Sequence, residues 1–233
     1  MRYLLILLLF ASCSQLYIPN TRNAPLFREQ GEAQLSAYLT GGGLEAQAAY
    51  ALTDHVAAIG SYAYGKSNQN NPDYTQKNSY GEIGLGYYDR SRSARYEIFG
   101  GYGFGQGTTY DQYYFFGVNN SVVATGKMNR IFVQPTIGTN NRDFNIFFTP
   151  RLSWVNYTEF TSSTGTVVKP NEKAHLFLEP ALTTKFRLTG NIHGIFQLGM
   201  TIPLPSEVYF AYAPLIVTIG LQIDTGGLRT RVY

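Results

Sequence analysis

The chain has 233 residues, a length that fits one barrel or sandwich, and a single folded domain is the expectation. Charged residues make up only 14% while aromatic residues reach 15%, with 19 Tyr, 15 Phe and 24 Gly, a mixture that favours strands over helices. A net charge of +3 is too small and too evenly spread to supply the basic face of a nucleic-acid-binding protein, which excludes that partner, and a sole cysteine excludes an intramolecular disulfide.

In chain order, Arg2 gives a short positive start, Tyr3 to Phe10 form an apolar run too short to span a bilayer, and Ala11-Ser12 are small residues followed at once by Cys13. Residues 13–32 read as an extended arm, because Pro19 and Pro25 block regular pairing and no helical period of apolar residues is present. From residue 33 onward the pattern alternates with period two. It predicts ten strands near 33–40, 44–52, 55–65, 79–89, 94–105, 126–139, 144–157, 173–187, 192–204 and 213–224.

The connections fall into two kinds. Thr53-Asp54, Arg90 to Ser93, Asn140 to Asp143 and Thr189 to Asn191 are short; Lys66 to Asn78, Gln106 to Thr125, Glu159 to Glu172 and Pro205 to Tyr212 are longer. The two kinds alternate, apart from the tight Gly41-Gly42-Gly43 turn in the long series. Short turns at one end and long loops at the other are the layout of an outer-membrane barrel with the long loops outside the cell. The fold expectation is all-β, an antiparallel up-and-down transmembrane barrel of about ten strands, with eight as the alternative.

Parity sharpens this, because a strand puts alternate residues on opposite faces. Leu215, Val217, Ile219, Leu221 and Ile223 oppose Thr218, Gly220, Gln222 and Asp224, and Ile131, Val133 and Ile137 oppose Arg130, Gln134 and Thr136. A soluble barrel alternates too, with its apolar side inward. Here the polar faces hold many Gly, Ser, Thr and Gln and few Lys, while Tyr62, Tyr64, Tyr87, Tyr88, Tyr102, Phe104, Tyr157 and Phe160 collect near strand ends as girdles would. These features favour an apolar face turned to lipid.

The start of the chain resembles a bacterial lipoprotein signal, in which the cysteine after a small residue becomes the acylated first residue; Phe10 departs from the family's usual Leu. That resemblance implies a signal peptide at 1–12, a covalent acyl lipid on Cys13, no other cofactor, a periplasmic arm at 13–32 and a barrel at 33–233. Tyr17-Ile18-Pro19-Asn20 with Asn23-Ala24-Pro25-Leu26, Gln47-Ala48-Ala49-Tyr50-Ala51 with Thr53-Asp54-His55, and Gln134-Pro135-Thr136-Ile137-Gly138 resemble small outer-membrane barrel proteins of Bacteroidota type. The resemblance implies location and fold, and no reaction. On this reading the lipid anchor and the C-terminus both lie on the periplasmic side. Pro135, Pro150 and Pro180 stand mid-strand in consecutive strands, where a kinked, bulged seam is expected.

Inward parity falls to Glu45, Glu82, Glu97 and Glu179 against Arg95, Arg130, Arg151, Lys185 and Arg187, a near balance that reads as a paired charge network plugging the lumen, or alternatively as a charged pore lining. The histidines His55, His175 and His193 stand in no nucleophile elbow and no zinc-helix motif, so neither catalysis nor a metal site is expected. Tyr110, Tyr113, Tyr114, Phe115 and Phe116 form an aromatic segment that reads either as a partner-binding loop or as an extended strand pair with a girdle. The first functional expectation is therefore a noncatalytic structural or interaction barrel, an accessory subunit of a larger outer-membrane assembly whose partners are the bilayer and other outer-membrane proteins. A small channel is the second and a lipid-modifying enzyme the third.

Overall fold

The computed structural model describes residues 15–68, 74–115, 118–163, 174–204, 208 and 210–225, with side chains at 67–68, 74–75, 111–115 and 118–122 outside that description. The signal segment 1–12, Cys13, Phe116 and Tyr233 lie outside the described residues, as do the side chains of Tyr113, Tyr114 and Phe115.

Period-two alternation produces strands wherever it occurs: β1 (Ala33–Thr40), β2 (Gly43–Ala51), β3 (Val56–Asn68), β4 (Tyr74–Arg90), β5 (Ala94–Phe115), β6 (Val118–Thr139), β7 (Phe144–Ser162), β8 (His175–Thr189), β9 (Ile192–Met200), β10 (Ile202–Pro203) and β11 (Leu215–Thr225). From β1 to β9 each pairs antiparallel with its sequence neighbour, β10 pairs with β8, and β11 pairs with both β9 and β1. Segment β10 continues β9 against β8 in unchanged register, with Leu178 facing Ile202 as Ala181 faces Gly199. The eleven segments therefore make a closed up-and-down barrel of ten strands. Closure leaves no free sheet edge.

The wall is uneven in height. Strands β1 and β2 have 8 and 9 residues, whereas β5 and β6 have 22 each. The expected long loop from Gln106 to Thr125 is thus mostly strand, paired from Gln106 against Lys127 up to Phe115 against Val118. Where its side chains are described the alternation persists, Gly107 and Thr109 being buried and Thr108 and Tyr110 only partly so.

The two faces are inverted relative to a soluble protein. Leu39 and Ile83 are each 66% exposed and Leu85 and Ile219 each 62%, whereas Arg130, Gln134, Thr149, Arg151 and Glu179 are 0% exposed. Aliphatic residues cover the outside and polar ones fill the inside. Aromatic side chains stand outward near both ends of this band, Tyr50, Tyr87, Tyr96, Phe144 and Phe186 towards the short turns and Tyr62, Tyr64, Tyr102, Phe104 and Trp154 towards the long-loop end. Three residues expected in the girdles turn inward instead: Tyr88 and Tyr157 are 2% and 1% exposed, and Phe160, opposite the inward Gly126, packs on Tyr157 in the interior. Strand parity requires this of Tyr88, since its neighbour Tyr87 faces out.

Inward glycines give space to aromatic rings on the next strand. Gly101 is opposite Phe132 and Gly220 opposite Tyr38, and a Cβ at either position would collide with the facing ring. The ring covers the backbone that glycine leaves bare.

The three mid-strand prolines form one row. Pro150 faces Pro180, and the register that pairs Val133 with Leu152 and Ile137 with Phe148 sets Pro135 against Pro150. Without N–H donors the β6–β7 ladder lapses here, yet the register resumes unchanged, so the expected bulge is absent at the prolines. The shifts occur elsewhere, at Lys127/Met128 and at Arg187/Thr189. Side chains bridge the lapse from within: Arg151 Nη2 donates to Gln134 Oε1 at 2.6 Å and Thr149 Oγ1 to Thr136 Oγ1 at 3.2 Å.

Candidate functional site

Eight strands leave an interior that side chains alone can fill, and ten leave more. Here the surplus is taken up by the chain's own arm. The segment expected outside the barrel runs inside it: Tyr17, Thr21, Arg22 and Phe27 are at most 2% exposed. It enters at the long-loop end, where Leu16 and Tyr17 donate backbone hydrogen bonds to Ala211 O, and reaches the short-turn end at Gly31, whose N–H meets Ala51 O. Gln15 therefore lies at the long-loop end and Thr225, paired with Ala33, at the short-turn end. The two ends of the described chain are on opposite sides of the barrel.

A strandless segment buried in a lumen must find partners for every backbone polar group. Pro19 and Pro25 have no N–H to satisfy. Wall carboxylates take two of the others, Thr21 N donating to Glu45 Oε2 at 2.9 Å and Leu26 N to Glu97 Oε2 at 2.8 Å, and the arm's own Glu32 takes a third, its Oε2 accepting from Arg28 N at 2.8 Å. Glutamines serve the carbonyls, since an amide carries donors and an acceptor together. Gln47 reaches Thr21 O (2.8 Å), Gln134 reaches Asn23 O (2.8 Å) and Gln34 reaches Pro25 O (3.1 Å). Gln197 holds Arg22 by both groups, accepting from its N–H at 2.8 Å and donating to its carbonyl at 3.2 Å. Leu26 is held at φ 51°, a left-handed conformation costly for a residue with a Cβ, between Glu97 on its N–H and Arg95 on its carbonyl. Gln197→Leu, which strands both groups of Arg22, is expected to cost about 1–3 kcal/mol in urea unfolding of the reconstituted protein.

Midway along the lumen the arm completes an ion cluster. Tyr17 donates to Glu179 Oε1 at 2.6 Å and accepts from Arg130 Nη1 at 2.9 Å. Asn20 donates to Glu82 Oε1 at 2.6 Å, while its own oxygen accepts from Arg130 at 2.6 Å and Arg151 at 3.0 Å. Glu82 forms ion pairs with Arg130 and with Arg151, the latter at 3.4 Å. Arg22 lies 3.8 Å from Glu179, and its guanidinium also donates to the carbonyls of Glu179 (3.2 Å) and Met200 (3.4 Å), beside Pro180 and the Thr201 break in the wall. The arm thus serves carbonyls beside the Thr201 break in the wall.

Apolar layers close the cluster on both sides. Towards the long loops, Leu16, Tyr17, Tyr80, Met128, Tyr157 and Phe177 pack with Phe210, whose ring meets Tyr157 at 4.6 Å. Towards the short turns, Phe27 packs with Tyr88, Phe99, Phe132 and Ile59.

The nine charges expected to form one network separate into three sets. Glu82, Arg130, Arg151 and Glu179 form the central cluster; Glu45, Glu97 and Arg95 hold arm backbone. Lys185 pairs with Asp224 at 3.0 Å, and Arg187 stands at the rim, 27% exposed, 3.5 Å from Asp143. The residues that sequence reasoning missed are Tyr17, Asn20 and Arg22. The signal that could have found them is the excess of inward Gln, which has little purpose facing water.

Tyr110, from the aromatic segment, is half-buried in β5, so the described part of that segment is strand rather than loop. His55 is exposed and stacks on Tyr87 at 5.4 Å, His175 is buried edge-on to Phe210 at 5.2 Å, and His193 lies 3.4 Å from Asp224. Among the described residues no group of three or more His, Cys, Asp and Glu is placed to hold a metal ion. Compared with models of known protein families and with curated protein sequences, the chain matches none.

Proposed function

We propose that this chain is a lipid-anchored outer-membrane barrel, acylated on Cys13, of the small Bacteroidota-type kind, with a noncatalytic structural or interaction role as an accessory subunit of a larger outer-membrane assembly. The observation that carries it is the inverted polarity of the wall. Removing a Leu or Ile side chain from water is worth about 1.5–3 kcal/mol, and so many outward aliphatic residues require an apolar solvent. The aromatic residues at both ends of the band match the two interfaces of a bilayer. Tyr96 and Phe104 on β5 are eight residues apart, about 27 Å along an extended strand, which suits the hydrocarbon thickness.

A filled lumen argues against the channel reading, because the arm, the ion cluster and two apolar layers occupy the axis. An interaction role is favoured by the β5–β6 hairpin, which carries Tyr110 and rises beyond its neighbours as a surface for other membrane proteins.

Flotation of the purified chain with liposomes, and its solubility without detergent, test the reading: co-flotation and a detergent requirement are expected, and a protein stable in plain buffer ends it. The lipid-facing wall makes a separate prediction. Leu85 faces outward opposite Gly100, midway between the girdles. Leu85→Arg is expected to destabilise the barrel by about 2–4 kcal/mol in lipid vesicles and by much less in detergent micelles; an equal effect in both removes lipid as the solvent of that face.

A further inference from the structure

The short-turn end of the barrel carries positive charge that neither the central ion cluster nor the arm balances. A cavity of ≈ 250 Å³ opens there, inside the ring of short turns. Six cations line it: Arg28 from the arm, Arg90 at the end of β4, Arg95 at the start of β5, Arg142 in the β6–β7 turn, and Lys185 and Arg187 in β8. Glu29, Glu32 and Asp224 share the lining.

Two of the cations are matched. Lys185 pairs with Asp224 at 3.0 Å, and Arg187 lies 3.5 Å from Asp143. The other four guanidinium groups form no ion pair among the described residues. Arg28 donates to the Asn141 carbonyl at 2.9 Å. Arg95 is 5% exposed, yet its acceptors are all neutral oxygens: Leu26 O at 2.5 Å, Asn145 Oδ1 at 2.8 Å and Thr139 O at 3.3 Å. Arg90 and Arg142 are exposed at the rim, with no side-chain partner among the described residues. In the lining these four groups face two carboxylates, Glu29 and Glu32, an excess of two positive charges. Both Glu32 oxygens are already taken, by Arg28 N at 2.8 Å and by Gln34 at 3.1 Å. His193, 7% exposed, also lines the cavity, and its Nδ1 makes no hydrogen bond although Asp224 lies 3.4 Å away.

Cations crowded at one mouth repel one another within a Debye length, about 8 Å at physiological salt, and a buried guanidinium keeps its desolvation penalty until a counter-charge meets it. An anion in the cavity answers both. Guanidinium presents its N–H donors in a planar fork that fits phosphate oxygens two at a time, and a phosphate monoester carries about −1.5 to −2 charge, which matches the excess. The cavity has room for roughly eight waters at about 30 Å³ each, enough for a diphosphate or a small phosphate ester.

We infer that this cavity binds a compact phosphate-bearing anion, held by Arg90 and Arg142 from the turns, Arg28 from the arm and Arg95 at the cavity wall. Because Arg28 belongs to the arm, the bound anion ties the plug to the β4–β5 and β6–β7 turns. The girdle residues at this end, Tyr87, Tyr96 and Phe144, stand on the outside of the wall, so the mouth opens to water and a soluble ligand reaches it more directly than a lipid headgroup. The site is built by the barrel and its arm alone and holds whatever solvent bathes the wall; on the membrane reading it faces the periplasm.

Isothermal titration of the full chain with inorganic pyrophosphate, in neutral detergent at low salt, tests the site. Saturable binding at one site per chain is expected. Arg90→Gln combined with Arg142→Gln should weaken it by at least about tenfold, and Lys66→Gln, a cation near the opposite rim, should leave it unchanged. Neither substituted arginine holds a described side-chain contact, so the double variant keeps the fold, and its heat-sensitive mobility checks this. Repeating the titration in phosphatidylcholine nanodiscs with and without phosphatidylglycerol identifies the source of the phosphate: an unchanged affinity assigns the site to a soluble ligand, and competition by phosphatidylglycerol assigns it to a headgroup. Absence of saturable heat, equal affinity for acetate and pyrophosphate, or a double variant that binds as tightly as the parent overturns the inference, and none of these outcomes bears on whether lipid covers the wall.

Discussion

Deleting residues 15–31 from the arm is expected to turn an electrically silent barrel into one with a steady conductance in planar bilayers. The arm contributes Leu16, Tyr17, Asn20, Arg22 and Phe27 to the axis, and each is buried by wall residues that have nothing else to cover them. Once it is gone, Gln34, Gln47, Gln134 and Gln197 lose the backbone groups they bind, and a polar lumen whose groups lack partners fills with water. A ten-strand wall without its insert is wide enough for that water to be continuous. The closed ladder itself uses no arm residue, since β1 starts at Ala33, so the shortened chain retains every strand pair. A synthetic peptide of residues 15–31 added to the bilayer chamber should block the current. Conductance in the intact protein, or silence in the shortened one once its heat-sensitive mobility shows it folded, removes the view of the arm as the plug.

The second large effect is expected at Glu82. It accepts from Asn20 and forms ion pairs with Arg130 and Arg151, all of them buried. In Glu82→Leu these guanidinium groups remain in the lumen with Glu179 as the nearest described anion, 3.7 Å from Arg130. Stripping one partner from a buried ion cluster costs about 3–5 kcal/mol, because the remaining charge keeps its desolvation penalty and loses its counter-charge. Glu82→Gln keeps an acceptor and should cost less, and Arg151→Met placed on top of Glu82→Leu should recover part of the loss. Urea midpoints of the reconstituted variants measure all three. An unchanged midpoint in Glu82→Leu, or a double variant no better than the single, would show that the cluster does not hold the arm in place.

Both predictions turn on the arm, and the arm is where reading the sequence ran out. Period-two alternation was legible because one slip inverts a strand, so Ile131, Val133 and Ile137 could only oppose Arg130, Gln134 and Thr136. The limits of β1 and β2 and the starts of β7 and β9 were legible for the same reason. The upper parts of β5 and β6 were not, because the polar and aromatic residues from Gln106 to Thr125 lack the aliphatic-against-polar contrast that marks the lower strands. Tyr88 and Tyr157 were misplaced when composition near strand ends was given more weight than parity.

The amino-acid sequence by itself determined an all-β chain with one polar and one aliphatic face, ten antiparallel strands and a sidedness of short and long connections, since each of these is a local property with a fixed repeat. Only the tertiary structure decided that the polar face closes around the chain's own beginning, that Arg22 and Asn20 complete the ion cluster, and that Gln15 and Thr225 stand at opposite ends. The physical reason is that a segment without regular structure has no period to read: its place is set by which wall side chains satisfy its backbone, and those lie 9 to 175 residues away in the chain.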